Sequence, residues 1–412
     1  MPHPQPHVPE PPGVPARRAA LKVLDAVLRR GSPLEAALAG AGAGLPPPDR
    51  ALAHALASAV LRRLPDLDAL IDSVTARPLP PDAKARAVLR IALAGALVLG
   101  TPGHAAIATV LPLVDGGPRK LVHGVFGTLM RRQARLPEPP NLPAAIAERW
   151  LANWGGEAVE AARRAVAEPP PLDLTLRDPA ETERWAERLG ATSFLPGHLR
   201  LPARMPVAEL PGYHEGAWWV QDVAASLPAR AMGSGGGRVL DLCAAPGGKT
   251  LQLAAQGWDV VAVDQSESRL ARLRDNLTRT KLAAQVVCAD VLRWAPDAPT
   301  DAVLIDAPCS ATGIFRRHPD VLHRAHPAFI AEMAELQARI LSRAAEWVKP
   351  GGILVYATCS LEPEEGERQA ERFLNDDARF APEPAAHDGR ILPSGFAQGC
   401  DGFFVARFRR NA

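Results

Sequence analysis

Arg238-Val239-Leu240-Asp241-Leu242-Cys243-Ala244-Ala245-Pro246-Gly247-Gly248-Lys249-Thr250 decides the reading of this chain. A short apolar run ends in an acid, passes through a Gly-rich turn and opens a helical pattern, which is the strand-loop-helix start of an α/β unit. The same grammar repeats downstream. Strands are expected at Val260 to Val263, Gln285 to Cys288, Ala302 to Ile305 and Ile353 to Tyr356, with helices through Asn276 and from Pro327 to Val348. Alternating β and α units require a parallel, doubly wound sheet with right-handed crossovers, and ligands of such sheets sit at the carboxyl ends of the strands. A closing run, Phe403 to Phe408 after Asp401-Gly402, adds an antiparallel strand, so the expected fold is a Rossmann-like sheet with an antiparallel end.

Outward from this core, the pattern changes. From Ala16 to about Arg135 it is helical throughout, with Leu21, Leu24, Val27 and Leu28 on one face of the first helix and Arg17, Arg18, Lys22 and Arg29 off it. Leu136 to Pro143 carries four prolines and marks a domain boundary. Between residues 139 and 230 lie helical stretches and short alternating runs such as Leu172 to Leu176, a small α+β connector in which Trp218-Trp219 serves packing. The division read from the sequence is a disordered tail over 1–15, a helical domain over 16–138, the connector over 139–230 and the α/β domain over 231–412.

Composition sets bounds. The chain has 412 residues, 47% hydrophobic and 22% charged, as expected of a globular protein with more than one core. Five widely spaced cysteines without a Cys-x-x-Cys pair argue against a disulfide framework or a metal knuckle, and point to a reducing cytoplasm. No signal peptide or membrane span is read. Net charge is +2, but residues 1 to 140 hold 17 Lys and Arg against 10 Asp and Glu, an excess of 7 that leaves −5 for the rest. A basic helical domain suits an RNA-docking surface, as it does an ordinary solvated face.

The Gly-rich loop narrows the cofactor. A phosphate-cradling loop ending in Gly248-Lys249-Thr250 needs a first glycine where this chain has Cys243, and no Gly-x-Gly-x-x-Gly is present. S-adenosylmethionine fits better: its sulfonium favours carboxylates, and three successive strands end in or near Asp241, Asp264 and Asp290. Asp264 is placed to take both ribose hydroxyls and Asp290 the adenine amino group.

Two further strand ends carry cysteines, in Asp306-Ala307-Pro308-Cys309-Ser310 and Ala357-Thr358-Cys359-Ser360. Together with the loop above, Asp306 to Gly313 and Tyr356 to Ser360 resemble the RNA cytosine-5 methyltransferases. The helical front, Val220-Gln221-Asp222 and Asp401-Gly402-Phe403-Phe404 resemble the bacterial Sun/RsmB type, which methylates small-subunit rRNA. The chain departs from that pattern at Val321-Leu322-His323-Arg324 and Leu176-Arg177-Asp178-Pro179.

The resemblance implies a NusB-like helical domain, S-adenosylmethionine held by Cys243, Ala244, Ala245, Pro246, Gly247, Gly248, Lys249, Asp264, Asp290 and Asp306, and small-subunit (16S) rRNA as substrate. Carbon 5 of cytosine is a poor nucleophile, so a thiolate must add at carbon 6. Cys359 is the expected nucleophile, Asp306 the acid at N3, Cys309 the aid to release, and Lys249 a support for substrate or thiolate. Arg316-Arg317-His318-Pro319 is a candidate phosphate clamp, and Cys243, Cys288 and Cys400 are expected as small buried hydrophobes. Neither a metal nor a membrane is expected, and a monomer is favoured. Two alternatives stay open: the same reaction on tRNA, and a non-catalytic NusB-like RNA-binding factor.

Overall fold

The computed structural model describes residues 11–412; most of the Pro- and His-rich opening therefore lies outside the described residues. The chain divides into two compact units, one comprising Met1–Ala152 with His318–Arg324 and the other Asn153–Arg317 with Ala325–Ala412.

The first unit is all helical: α1 (Val14–Arg30), α2 (Leu34–Ala41), α3 (Pro47–Arg62), α4 (Leu64–Asp72), α5 (Lys84–Leu97), α6 (Gly103–Val110) and α7 (Gly116–Arg131). Pro15 stands in the first turn of α1, where a missing N–H costs nothing, so the helix begins before the expected Ala16. Gly31 stops it with φ 66°. Leu24, Val27, Leu56, Leu89 and Phe126 build one buried core. Arg17 belongs to that interior and donates to Gly13 O at 3.0 Å, contrary to the outward placement expected for it. Helical spacing explains the correction, because 17, 20, 24 and 27 fall on one stripe. The excursion His318–Arg324 also packs in this unit: Leu34 N donates to Asp320 Oδ2 at 3.2 Å, and Arg324 Nε to Gly31 O at 2.7 Å.

α8 (Ala144–Ala167), broken at Gly155, leads into the second unit. There β1 (Leu172–Leu176), α9 (Thr182–Leu189), β2 (His198–Leu201) and β3 (Trp218–Val220) form an antiparallel sheet in the order β2-β1-β3. Trp218 and Trp219 are both buried, as packing requires. The indole N–H of Trp219 donates to Gln221 Oε1 at 2.8 Å.

The large sheet follows: α10 (Val223–Met232), β4 (Arg238–Leu242), α11 (Gly248–Ala255), β5 (Asp259–Asp264), α12 (Glu267–Thr280), β6 (Gln285–Cys288), β7 (Thr300–Asp306), α13 (Val321–Arg324, of the helical unit), α14 (Pro327–Ala345), β8 (Val348–Thr358), α15 (Glu367–Asp376), β9 (Phe380–Pro382), β10 (Gly389–Ile391) and β11 (Phe403–Arg410). Its order is β10-β11-β8-β7-β4-β5-β6, with β9 on β11. From β6 to β8 the strands are parallel, and β11 runs antiparallel to β8. Two expected helix ends move: α12 continues past Asn276 to Thr280, and α14 stops at Ala345 because Val348 already starts β8.

Both faces of the sheet are covered, which is why its strands read as continuous apolar runs. Leu240, Leu242, Val303, Ile305, Leu354 and Tyr356 pack on one side. Val239, Ala302, Leu304, Val355 and Ala357 pack on the other, with α10. The chain winds from β4 to β5 and β6, then crosses back to β7 on the opposite flank of β4, so the order reverses between β4 and β7. At such a reversal the two loops leave in opposite directions and open a crevice.

Candidate active site at the carboxyl ends of β4, β5, β7 and β8

The register pairs Leu242 with Ile305 and Asp306 with Ala357, so the strand ends that lead to Lys249 at the start of α11, to Asp306 and Cys309, and to Cys359 lie side by side. After β4 the backbone enters the left-handed region at Cys243, φ 60°. At Gly247 φ is 107°, and a Cβ there would stand 2.2 Å from Leu273 Cδ1. Only glycine fits. The amide of Ala245 donates to Asp264 Oδ2 at 3.1 Å and that of Ser266 to Asp264 Oδ1 at 2.9 Å. Arg269, which sequence reading missed, lies 3.2 Å from the same carboxylate and also donates to Ala245 O.

Three carboxylates converge in this region with few cations to balance them. Asp241 is fully buried; Oδ2 accepts from Thr250 Oγ1 at 2.5 Å, and Oδ1 is buried without a hydrogen-bond partner among the described residues. Burial, with the charges of Asp306 and Asp264 added and only partly opposed by Thr250 and Lys249, pushes its carboxyl up to about 7. The Cys243 thiol is pushed up to about 12 by burial and by those same carboxylates. An orphaned acceptor within an acidic cluster suits a cationic ligand with donors of its own, so these residues fit S-adenosylmethionine. Asp264 retains lone pairs after its two backbone bonds, enough for vicinal hydroxyls. Asp290 is half-buried, and its Oδ1 accepts from Leu292 N at 2.9 Å.

Lys249 Nζ donates to Asp306 Oδ2 at 2.8 Å and stands 5.1 Å from the centre of the Phe403 ring. Cys309 Sγ and Cys359 Sγ are 3.5 Å apart. Sharing that contact, and then burial, raise the Cys309 thiol well above its ordinary range. Gly313 N donates to Cys359 O at 2.9 Å, and a Cβ on Gly313 would stand 2.1 Å from Gly402 O. The Asp401-Gly402 turn therefore closes directly on the cysteine loops.

Glu365, which sequence reading also missed, reaches the residues that follow both cysteines. Its Oε1 accepts from Ser310 N at 2.8 Å and Gln337 Nε2 at 3.0 Å, while Oε2 accepts from Ser360 Oγ at 2.5 Å and from Ser310 Oγ. Burial raises its carboxyl against these bonds. Nothing local in a Pro-Glu-Glu turn announces this position.

Several expectations need correction. Arg316 is buried, and Arg317 donates to Asp222 Oδ2 at 2.7 Å and Asp401 Oδ2 at 3.1 Å, so this pair braces the protein interior instead of forming an open phosphate clamp. Of the three cysteines expected to be buried, only Cys400 is; Cys288 is exposed at the end of the edge strand β6, and Cys243 is half-buried. Among the described residues there is no group of three or more His, Cys, Asp or Glu that could hold a metal, and no helix is long and apolar enough to cross a membrane.

Two family models match separate parts of the chain. A family model described as 16S rRNA methyltransferase RsmB/F matches residues 233–409, and one described as NusB family matches residues 14–129. Among solved structures, PH0851 superposes with a TM-score of 0.73 at 23% identity, over 98% of this chain and 100% of that one. NSun6 from Pyrococcus horikoshii gives 0.58 at 18% identity, over 66% of this chain and 98% of that one. Both show the fold alone. Ribosomal RNA small subunit methyltransferase B of Klebsiella pneumoniae is 36% identical, over 96% of this chain and 98% of the relative. The protein of the same name from Xanthomonas campestris pv. campestris is 37% identical, over 96% of this chain and 97% of the relative. With that identity sustained through both units, the chain belongs to the ribosomal RNA small subunit methyltransferase B family.

Proposed function

We propose that this protein methylates carbon 5 of a cytosine in small-subunit (16S) rRNA through a transient bond between Cys359 Sγ and carbon 6 of the base. One observation carries the reading: two thiols 3.5 Å apart beside a Lys249–Asp306 ion pair, at the rim of an acidic crevice. Methylation of an exocyclic amino group needs no thiol, whereas addition to carbon 6 needs one and release of the product benefits from a second.

S-adenosylmethionine supplies an electrophilic methyl group when bound. The loop from Cys243 to Gly248 would hold it, with Lys249, Asp264, Asp290 and Asp306 around it; Asp264 would take the ribose hydroxyls and Asp290 the adenine amino group. As the Cys359 thiolate adds to carbon 6, electron density moves into the ring, and Asp306, protonated by the Lys249 ammonium with which it is paired, passes that proton to N3. Lys249 fixes the Asp306 carboxyl and offsets its charge. Once carbon 5 carries the methyl group, its proton passes to water, the electrons of that C–H bond restore the double bond, the N3 proton returns through Asp306 to Lys249, and the sulfur–carbon bond breaks to return the Cys359 thiolate. Cys309, in contact with that sulfur, assists this release.

The helical unit is read as the RNA-docking part. A groove of about 770 Å³ on it is lined by Lys22, Arg29, Arg30 and Lys84 among apolar side chains, with Asp25 and Asp82 also present. Cations interleaved with apolar surface suit phosphates beside exposed bases.

Incubation with radiolabelled S-adenosylmethionine and separate pools of unmodified small-subunit rRNA and tRNA, followed by nucleoside analysis, tests the proposal. Label in 5-methylcytidine from rRNA is expected. Label confined to tRNA would move the substrate, and no label in either would return the chain to the RNA-binding alternative.

A further inference from the structure

The parallel ladder between β7 and β8 ends at Asp306 and Ala357, with one more bond from Ala307 N to Ala357 O at 2.9 Å. Cys309 and Cys359 stand beyond it, on loops that the sheet no longer holds in register. Ser310 and Ser360, the residues immediately after the two cysteines, are both buried and both reach Glu365. One carboxylate thus spans the two loops.

The rest of the network fixes that carboxylate. Gln337 of α14 donates to Glu365 Oε1 at 3.0 Å and to Pro308 O at 2.8 Å, while the Tyr356 hydroxyl donates to Glu365 O at 2.8 Å. No Lys, Arg or His lies within ion-pair distance of Glu365 among the described residues. A buried carboxylate without a cation is a poor choice for stability alone. It is a good choice for geometry, because Oε2 takes the hydroxyls of both loops while Oε1 takes Ser310 N and Gln337 Nε2, whereas an amide offers only one acceptor and would set its NH2 against the remaining donors.

We propose that Glu365 is a positioning residue that holds the Cys309 and Cys359 sulfurs at contact distance by bridging Ser310 and Ser360. The inference rests on the covalent reading of the site and adds how that reading is built. Adduct formation and release use different sulfurs on different loops, so one bridge keeps both within reach of the same base.

The test uses the full chain and two readouts. The first is cross-linking by dibromobimane, which fluoresces strongly once both of its bromomethyl groups have alkylated thiols; a Cys309→Ser chain supplies the blank. In Glu365→Gln the Cys309–Cys359 cross-link should form at least about fivefold more slowly, since small displacements of paired reactive groups are costly. The second is methyl transfer. For Glu365→Gln, kcat should fall about 100-fold while KM for RNA and the Kd for S-adenosylmethionine stay within about twofold.

Ser360→Ala removes one arm of the bridge and keeps the proposal testable if Glu365→Gln fails to fold; about a tenfold loss of kcat is expected. The double variant should be no slower than Glu365→Gln alone, because both changes cut the same bridge. Wild-type kcat in Glu365→Gln, unchanged cross-linking despite lost kcat, or additive losses in the double variant would each overturn the proposal. Failure of the covalent reading is seen separately, as activity surviving in Cys359→Ala.

Discussion

The Lys249 ammonium donates to the Asp306 carboxylate at 2.8 Å, joining the first turn of α11 to the end of β7 across the crevice where the strand order reverses. Two residues 57 apart in sequence act as one electrostatic unit. Lys249→Met keeps the length of the side chain and removes its charge. Single-turnover methyl transfer at saturating S-adenosylmethionine should slow by about 100-fold, the scale of losing one preorganised charge-stabilising donor. Full activity would remove Lys249 from the mechanism.

The two cysteines should separate into two phenotypes. Cys359→Ala should abolish methyl transfer while leaving S-adenosylmethionine binding intact by calorimetry. Cys309→Ser should accumulate a protein–RNA adduct, visible as a retarded band on a denaturing gel. An adduct seen only when Cys359 is absent would reverse the two roles.

Asp241 makes the site sensitive to pH. Its folded-state carboxyl is raised to about 7, above the unfolded value, so the proton it binds stabilises the fold at low pH. That contribution is complete below about pH 4 and is lost as pH rises through about 7. Asp241→Asn does not titrate. Urea midpoints at about pH 5 and about pH 8 should therefore show the ligand-free wild type losing stability relative to the variant as pH rises. A constant difference between the two proteins would contradict the raised carboxyl.

Arg317 lies between Asp222 and Asp401, two carboxylates that are almost fully buried. Arg317→Met should destabilise the chain by about 3 kcal/mol, because it leaves them without their shared cation. An exposed basic turn would lose about 0.5 kcal/mol or less on the same change. Chemical denaturation separates these outcomes.

Much of the α/β fold was legible because its strands are buried on both faces. Arg238–Leu242 and Gln285–Cys288 emerge with the bounds their composition suggests, and β11 pairs antiparallel to β8 as the closing aromatic run implies. Asp264, Asp306, Cys309 and Cys359 were also readable, since each sits at or just past a strand end and such positions line the crevice of a wound sheet. What local pattern could not supply was partnership. Arg316 and Arg317 read as a basic turn until Asp222 and Asp401, 95 and 84 residues from Arg317, close on it. Arg17 reads as a surface residue until the helical stripe places it inward, and Glu365 is one acid among several in a polar turn. The sequence by itself determined the order of strands and helices and the chemical groups at the strand ends, because hydrophobic period and turn chemistry are local. Tertiary structure alone decided which charges meet, which thiols touch and which carboxylate joins Ser310 to Ser360, because burial and distance between remote segments exist only once the sheet has closed.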